Sequence, residues 1–116
     1  MGVKFGHIEI FVKDPLRSRD FYTNTLGFEH IETQGDKYVW LKLNGTEILL
    51  RPRKTYISAE NYQSANMAIV IYTDNVEETV KQYTSAGLIL KGNDGENNPT
   101  FTDPDGNWFQ IANPNS

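Results

Sequence analysis

The sequence predicts an α+β domain: two βαβββ modules forming curved mixed sheets, with the helices covering one face and the other face either buried against a partner or lining a cavity. Three observations carry this. First, the chain resembles itself at a shift of 61 residues, which lays Ile8, Ile10 and Phe11 on Ile69, Ile71 and Tyr72. The same shift lays Tyr22 and Thr23 on Tyr83 and Thr84, and Gly45 and Ile48 on Gly106 and Phe109. A one-residue slip brings Gly27 onto Gly87. Second, each half opens with a run rich in Ile, Val and aromatic residues and continues into a helix signal closed by glycine. Third, short strand signals separated by turn residues follow in each half. With 116 residues there is room for one ordinary domain. We therefore expect a single domain over 1–116, with a first module at about 4–53, a linker at about 54–66 and a second module at about 67–114.

The elements follow in order. Residues 4–12 alternate as a strand. Asp14 is an N-cap and Pro15 suits the first helical turn. The helix carries Phe21, Tyr22 and Leu26 on one side and ends at Gly27. Strands are expected at 28–33, 37–43 and 46–52, the last two joined by Asn44–Gly45, a tight-hairpin signal. The polar join holds at most a short helical turn. The second half repeats the order. A strand is expected at 67–73, then a helix capped by Asp74 or Asn75 with Val76, Val80 and Tyr83 at i, i+4 and i+7. Gly87 ends it, and strands follow at 88–91, 100–102 and 107–112. Residues 93–99 form a loop.

Composition narrows the function. Apolar residues make up 38% and charged residues 22%, a globular balance. No apolar run approaches the length of a membrane span. The opening stretch MGVKFGHIEIF lacks the pattern of a secretion signal, and Gly6 stands where a myristoylation motif needs Ser or Thr, so cytoplasm is the default expectation. There is no cysteine, which removes disulfides, thiolate metal sites and cysteine nucleophiles. The net charge of −4 disfavours nucleic acid as a partner.

Alternation in the first strand puts His7, Glu9 and Phe11 on one face and Ile8, Ile10 and Val12 on the other. The aliphatic set belongs against the helix. His7 and Glu9 then face the opposite side as an acid/base pair, half of a metal site, or ordinary polar residues at a strand end. Gln110 shares a face with Trp108 and Ala112, where an amide could hydrogen-bond a ligand or simply be satisfied locally. Arg51, Arg53 and Lys54 could grip an anion at a cavity mouth or sit solvated at a strand end. Tyr38, Trp40 and Trp108 read either as an aromatic wall for a flat ligand or as core. Asp103–Pro104–Asp105–Gly106 reads as a turn rather than a carboxylate pair. With only His7 and His30 in the chain, a multi-histidine metal site within one chain is excluded.

The stretches HIEIFVKDPLRSRDFYTNTLGFE and FTDPDGNWFQIANP resemble the opening and closing motifs of the vicinal oxygen chelate superfamily. Its members include glyoxalase I, fosfomycin-resistance thiol transferases, bleomycin-resistance proteins and extradiol dioxygenases. The resemblance runs over nearly the whole chain and implies paired βαβββ modules around a cavity. In metal-dependent members the ligands stand at matching points of the first and last strand of each module. Those points fall here on His7, Ala68, Leu49 and Gln110, and a strand bulge would move the second to Met67. One keeps a usual ligand, one is a neutral amide, and the others are apolar. The resemblance thus implies a small-molecule binding protein with no tight metal and no cofactor, at most a weakly held divalent ion. The expected ligand-binding residues are His7, Glu9, Trp40, Arg51, Trp108 and Gln110. The expected guest is an aromatic or amphiphilic molecule, such as a zwitterionic natural product. An enzyme of the same superfamily using His7 and Glu9 is the alternative, and an interaction module with a vestigial cavity is a third reading. Similar proteins commonly pair modules across a two-fold axis, so a homodimer is expected.

Overall fold

The computed structural model describes residues 2–54 and 57–115, so Thr55 and Tyr56 of the join lie outside the described residues. The chain divides into two compact units, Met1–Tyr56 and Ile57–Ser116. The fold is mixed α+β with two small mixed sheets.

In the first unit, β1 (Ile8–Val12) leads to α1 (Pro15–Asp20), then β2 (Glu29–Gln34), β3 (Tyr38–Leu43) and β4 (Thr46–Pro52). The sheet order is β1-β4-β3-β2, with β1 parallel to β4 and the other pairs antiparallel. β1 begins at Ile8 rather than at residue 4. Its ladder with β4 starts at Ile8↔Ile48, and the segment before it carries exposed Val3 and Phe5. Asp14 caps α1 by accepting from the Arg17 amide, and Pro15 follows as the first helical residue.

The helix then widens into a π turn over Phe21–Thr25, where one regular helix was expected. The Leu26 amide bonds to the Phe21 carbonyl, five residues back, and the Thr23 hydroxyl takes the Arg19 carbonyl. This arrangement accompanies a packed cluster: Tyr22, Leu26 and Phe28 are all buried, with Phe28 edge-on to Tyr22 at 5.3 Å. Ile10, Val12, Val39, Leu41, Ile48 and Leu50 complete this core.

In the second unit a single 3₁₀ turn (Tyr62–Ser64) precedes β5 (Ile69–Tyr72), α2 (Val76–Ser85), β6 (Thr100–Thr102) and β7 (Trp108–Ala112). Asn75 is the helix cap, accepting from the Glu78 amide at 3.0 Å. The sheet order is β5-β7-β6, with β5 parallel to β7. Ile71, Tyr83, Leu88, Phe101, Phe109 and Ile111 form the core, and Phe101 stacks on Phe109 at 5.0 Å.

The expected strand at 88–91 does not form. Lys91 donates its amide to Thr100 and Gly92 accepts from it, but Gly92 then takes φ 78° and turns the chain away. The bridge that follows pairs Asn93 with Pro99, which has no amide to extend a ladder.

The repeat is visible in the pairing itself. A shift of 61 residues carries Ile8↔Ile48 onto Ile69↔Phe109 and Glu9↔Leu49 onto Val70↔Gln110. Both units therefore place a first and a last strand side by side, in parallel and in the same register. Asp103–Pro104–Asp105–Gly106 is a turn, as expected. The buried Asp103 carboxylate accepts from the Asp105 and Asn107 amides, each at 2.9 Å, and from the Asn107 side chain.

Candidate functional site

Period-two alternation decides which residues of the first unit leave the core. Ile10 and Val12 of β1, Val39 and Leu41 of β3, and Ile48 and Leu50 of β4 are all buried on the helix side. Glu9 and Phe11, Tyr38 and Trp40, and Leu49 and Arg51 take the opposite face. His7 lies just before β1 and joins them. Glu9 is paired in register with Leu49, and Leu49 with Trp40, so three neighbouring strands present one patch.

Glu9 is the centre of that patch. One carboxylate oxygen stands 2.9 Å from His7 Nε2, and the other accepts from Arg51 Nη1 at 2.9 Å. Arg51 reaches it from β4, 42 residues along the chain. The His7 hydrogen bond first, and then the Arg51 guanidinium, hold the Glu9 carboxyl below its ordinary value of 4.5. Aromatic rings frame the cluster. His7 lies edge-on to Trp40 at 4.6 Å, and Arg51 sits over the Tyr38 ring at 5.5 Å. The Trp40 indole donates to the Gln34 amide oxygen at 3.1 Å, fixing its ring. Here His7, Glu9, Trp40 and Arg51 come together as one surface.

The basic cluster does not act as one clamp. Arg51 turns to Glu9, Arg53 lies over Phe11 at 5.7 Å, and Lys54 is exposed. His30 pairs with the Thr33 hydroxyl at 2.8 Å on the far edge strand, away from His7.

The second unit presents the matching face differently. Val70 and Tyr72 are exposed on it. Trp108 is not an open wall: it is 6% exposed, and its indole N–H donates to the Ala59 carbonyl at 3.1 Å. Tyr62 stands edge-on to it, with ring centroids 6.1 Å apart. Gln110 is half-buried, and its amide donates to the Tyr62 hydroxyl at 2.9 Å. The end of the join thus folds back over β7 and satisfies both polar side chains. Sequence reasoning missed Tyr62. The available signal was an aromatic residue late in a mostly polar join, seven residues before β5.

Taken one by one, the residues at the points where the resemblance sets metal ligands offer few donors. Leu49 and Ala68 bring hydrocarbon, the Gln110 amide is neutral and donates to Tyr62, and the His7–Glu9 pair is joined to a cationic guanidinium. Among the described residues, no three His, Cys, Asp or Glu side chains are grouped to hold a metal. Nor is any helix among them long and apolar enough to cross a membrane.

Comparison with known structures matches the fold. Lactoylglutathione lyase from Agrobacterium tumefaciens superposes with a TM-score of 0.73 at 16% identity, covering 97% of this chain and 95% of that one. The genomically encoded fosfomycin resistance protein FosX from Listeria monocytogenes gives 0.74 at 19% identity, covering 96% and 91%. A glyoxalase family protein from Bacillus anthracis gives 0.70 at 18% identity, covering 96% of each chain. A FosX variant, at 22% identity, is described in complex with Mn(II) and 1S,2S-dihydroxypropylphosphonic acid. At these identities the likeness shows a shared fold. No curated protein matches the chain at a significant level. The family model for the Glyoxalase/Bleomycin resistance protein/Dioxygenase superfamily matches residues 4–111, a span that holds the β1-β4 pairing and all of the β5-β7 pairing but its last residue pair, and the chain belongs to that superfamily.

Proposed function

We propose that this superfamily member binds a small aromatic or amphiphilic molecule without a tightly held metal. The observation that supports it is the first-unit patch, where Glu9 joins His7 and Arg51 between the rings of Trp40 and Tyr38. Flat apolar surface with a few fixed polar groups is the usual make-up of a small-molecule site. Glu9 and Arg51 balance each other, and His7 adds charge only when protonated. The patch therefore suits an uncharged or zwitterionic guest with an aromatic body. The Mn(II) of the FosX complex does not carry over in this reading, because Leu49 and Ala68 lack donor atoms.

The test uses Trp40 as the reporter, in a Trp108→Phe background, since the chain has two tryptophans. A screen of aromatic amphiphiles should find a guest that shifts Trp40 emission and raises the melting temperature. Arg51→Ala and His7→Ala should each weaken it about tenfold, the size of one charge-assisted hydrogen bond. Elemental analysis after dialysis should find well under one equivalent of zinc, nickel, manganese or iron. One full equivalent of metal, or no guest in the screen, would overturn the reading.

The His7–Glu9 hydrogen bond favours one second reading, in which the imidazole acts as a base held by the carboxylate. Conversion of a bound guest to product, lost in His7→Gln, would establish it. We also propose that two copies associate, given exposed apolar Phe11 in the first unit and Val70 and Tyr72 in the second. A cytoplasmic homodimer is the expected form, and a monomeric mass across micromolar concentrations refutes the association.

A further inference from the structure

In the second unit, a side chain of the protein already occupies β7 in the manner of a ligand. The Tyr62 ring stands edge-on to Trp108 at 6.1 Å and 84°, and its oxygen accepts from Gln110 Nε2 at 2.9 Å. A free phenol would make the same contacts, with its ring against an aromatic wall and its oxygen on an amide donor.

The segment that delivers Tyr62 is tied to the rest of the unit by hydrogen bonds, those of Ser58 and Gln63 exposed and those to Trp108 and Gln110 part-buried. Ser58 donates to the Gly106 carbonyl at 3.0 Å, Gln63 donates to the Asn93 carbonyl at 2.9 Å, and the Ala59 carbonyl takes the Trp108 indole. Its helical content is one 3₁₀ turn capped by Asn61. Ile57, Ser58, Asn61, Gln63 and Ser64 are exposed, and Ile57 is 97% exposed. The exposed ties of Ser58 and Gln63 exchange for water at small net cost, so the segment opens more easily than the sheet beneath it.

We infer that the Tyr62 side chain is a built-in stand-in for a phenolic ligand, and that residues 57–64 form a strap which such a ligand displaces from β7. The inference goes beyond the proposed guest of the first-unit patch: it concerns β7 of the second unit alone, and a ligand bearing a phenol. Gln110 selects the phenol oxygen and Trp108 the ring. Because Tyr62 is tethered, it competes at a high effective concentration, so the strap sets a threshold for binding.

The test uses p-cresol, which is the tyrosine side chain as a free molecule, and toluene, which lacks its oxygen. Trp108 emission reports binding in a Trp40→Phe background. In Tyr62→Ala, p-cresol should bind about tenfold tighter than toluene, the fold-change of one hydrogen bond to an otherwise unpaired amide. Adding Gln110→Leu should erase that preference. With Tyr62 present, p-cresol should bind at least about tenfold more weakly, because the tethered ring must leave first. In Tyr62→Phe, which keeps the ring, amide exchange should rise across 57–64 while β5 and β7 stay protected. Equal binding of p-cresol and toluene to Tyr62→Ala overturns the inference. So does loss of protection over the whole second unit in Tyr62→Phe, which would make the segment an integral part of that unit. A Trp40-reported guest in the wild-type face combined with no p-cresol preference would refute the strap alone. The p-cresol preference without any wild-type guest would refute the proposed function alone.

Discussion

Replacing Gly106 with alanine should destabilise the second unit by about 2–3 kcal/mol, for two separable reasons. Gly106 has φ 89°, which an L side chain rarely adopts. The backbone cost is about 1–2 kcal/mol, offset by roughly 0.4–1 kcal/mol because alanine restricts the unfolded chain. That leaves about 1 kcal/mol. The second cost is steric. A methyl group at Gly106 would overlap both Oγ and Cβ of Ser58. Ser58 would have to swing away and lose its 3.0 Å hydrogen bond to the Gly106 carbonyl, which is worth about 0.5–1.5 kcal/mol net. If the Trp108 bond to Ala59 breaks with it, a similar amount is added. Gly87 provides the control, with φ 104° and nothing within 4 Å of an added Cβ, so Gly87→Ala carries only the backbone cost. Urea unfolding followed by Trp108 emission in a Trp40→Phe background measures both. Ser58→Gly combined with Gly106→Ala should bring the loss back toward that of Gly87→Ala. The reasoning fails if Gly106→Ala costs no more than Gly87→Ala, or if removing the Ser58 side chain recovers nothing.

Other perturbations reach other links of the argument. Glu9 is held below 4.5 by His7 and Arg51, so its contribution to first-unit stability is full above that value and is lost as pH falls through the lower folded value. Urea midpoints read by Trp40 in a Trp108→Phe background should therefore fall more steeply below about pH 4.5 in the presence of Glu9 than in Glu9→Gln, and equal slopes would refute the cluster. Burial pushes the Tyr83 hydroxyl above its ordinary 10.0, so the folded second unit resists ionisation there. Its stabilising contribution holds below pH 10 and is lost as pH rises toward the folded value; Tyr83→Phe should flatten that alkaline loss, measured by the same Trp108 unfolding. Asn75→Ala removes the side-chain acceptor for the Glu78 amide and should cost the second unit about 1 kcal/mol; a cost indistinguishable from zero would mean that water replaces the cap.

Local chemistry made much of this protein legible in its sequence. The alternation of Ile10 and Val12 against Glu9 and Phe11 is a property of a strand with period two, and it placed the face before any partner was known. Asn44–Gly45 needed only the φ of 57° that Asn44 adopts to fix the hairpin, and β4 keeps its expected bounds of Thr46–Pro52. The repeat at 61 residues survives as strand register because both halves bury the same apolar set. Contacts between distant segments were decided only in the tertiary structure. Arg51 could have gripped an outside anion, but the parallel pairing of β1 and β4 brings it onto Glu9, 42 residues away. Trp108 has the period of an open-face residue, and it is covered because the end of the join returns to it with a carbonyl and a phenol. Residues 88–91 have a strand's composition and lack its ladder, since pairing depends on a neighbour and only Lys91 at their end bonds to Thr100. A side chain's face follows from its own backbone, whereas what covers that face depends on loop closure between segments far apart in sequence, which no local pattern encodes.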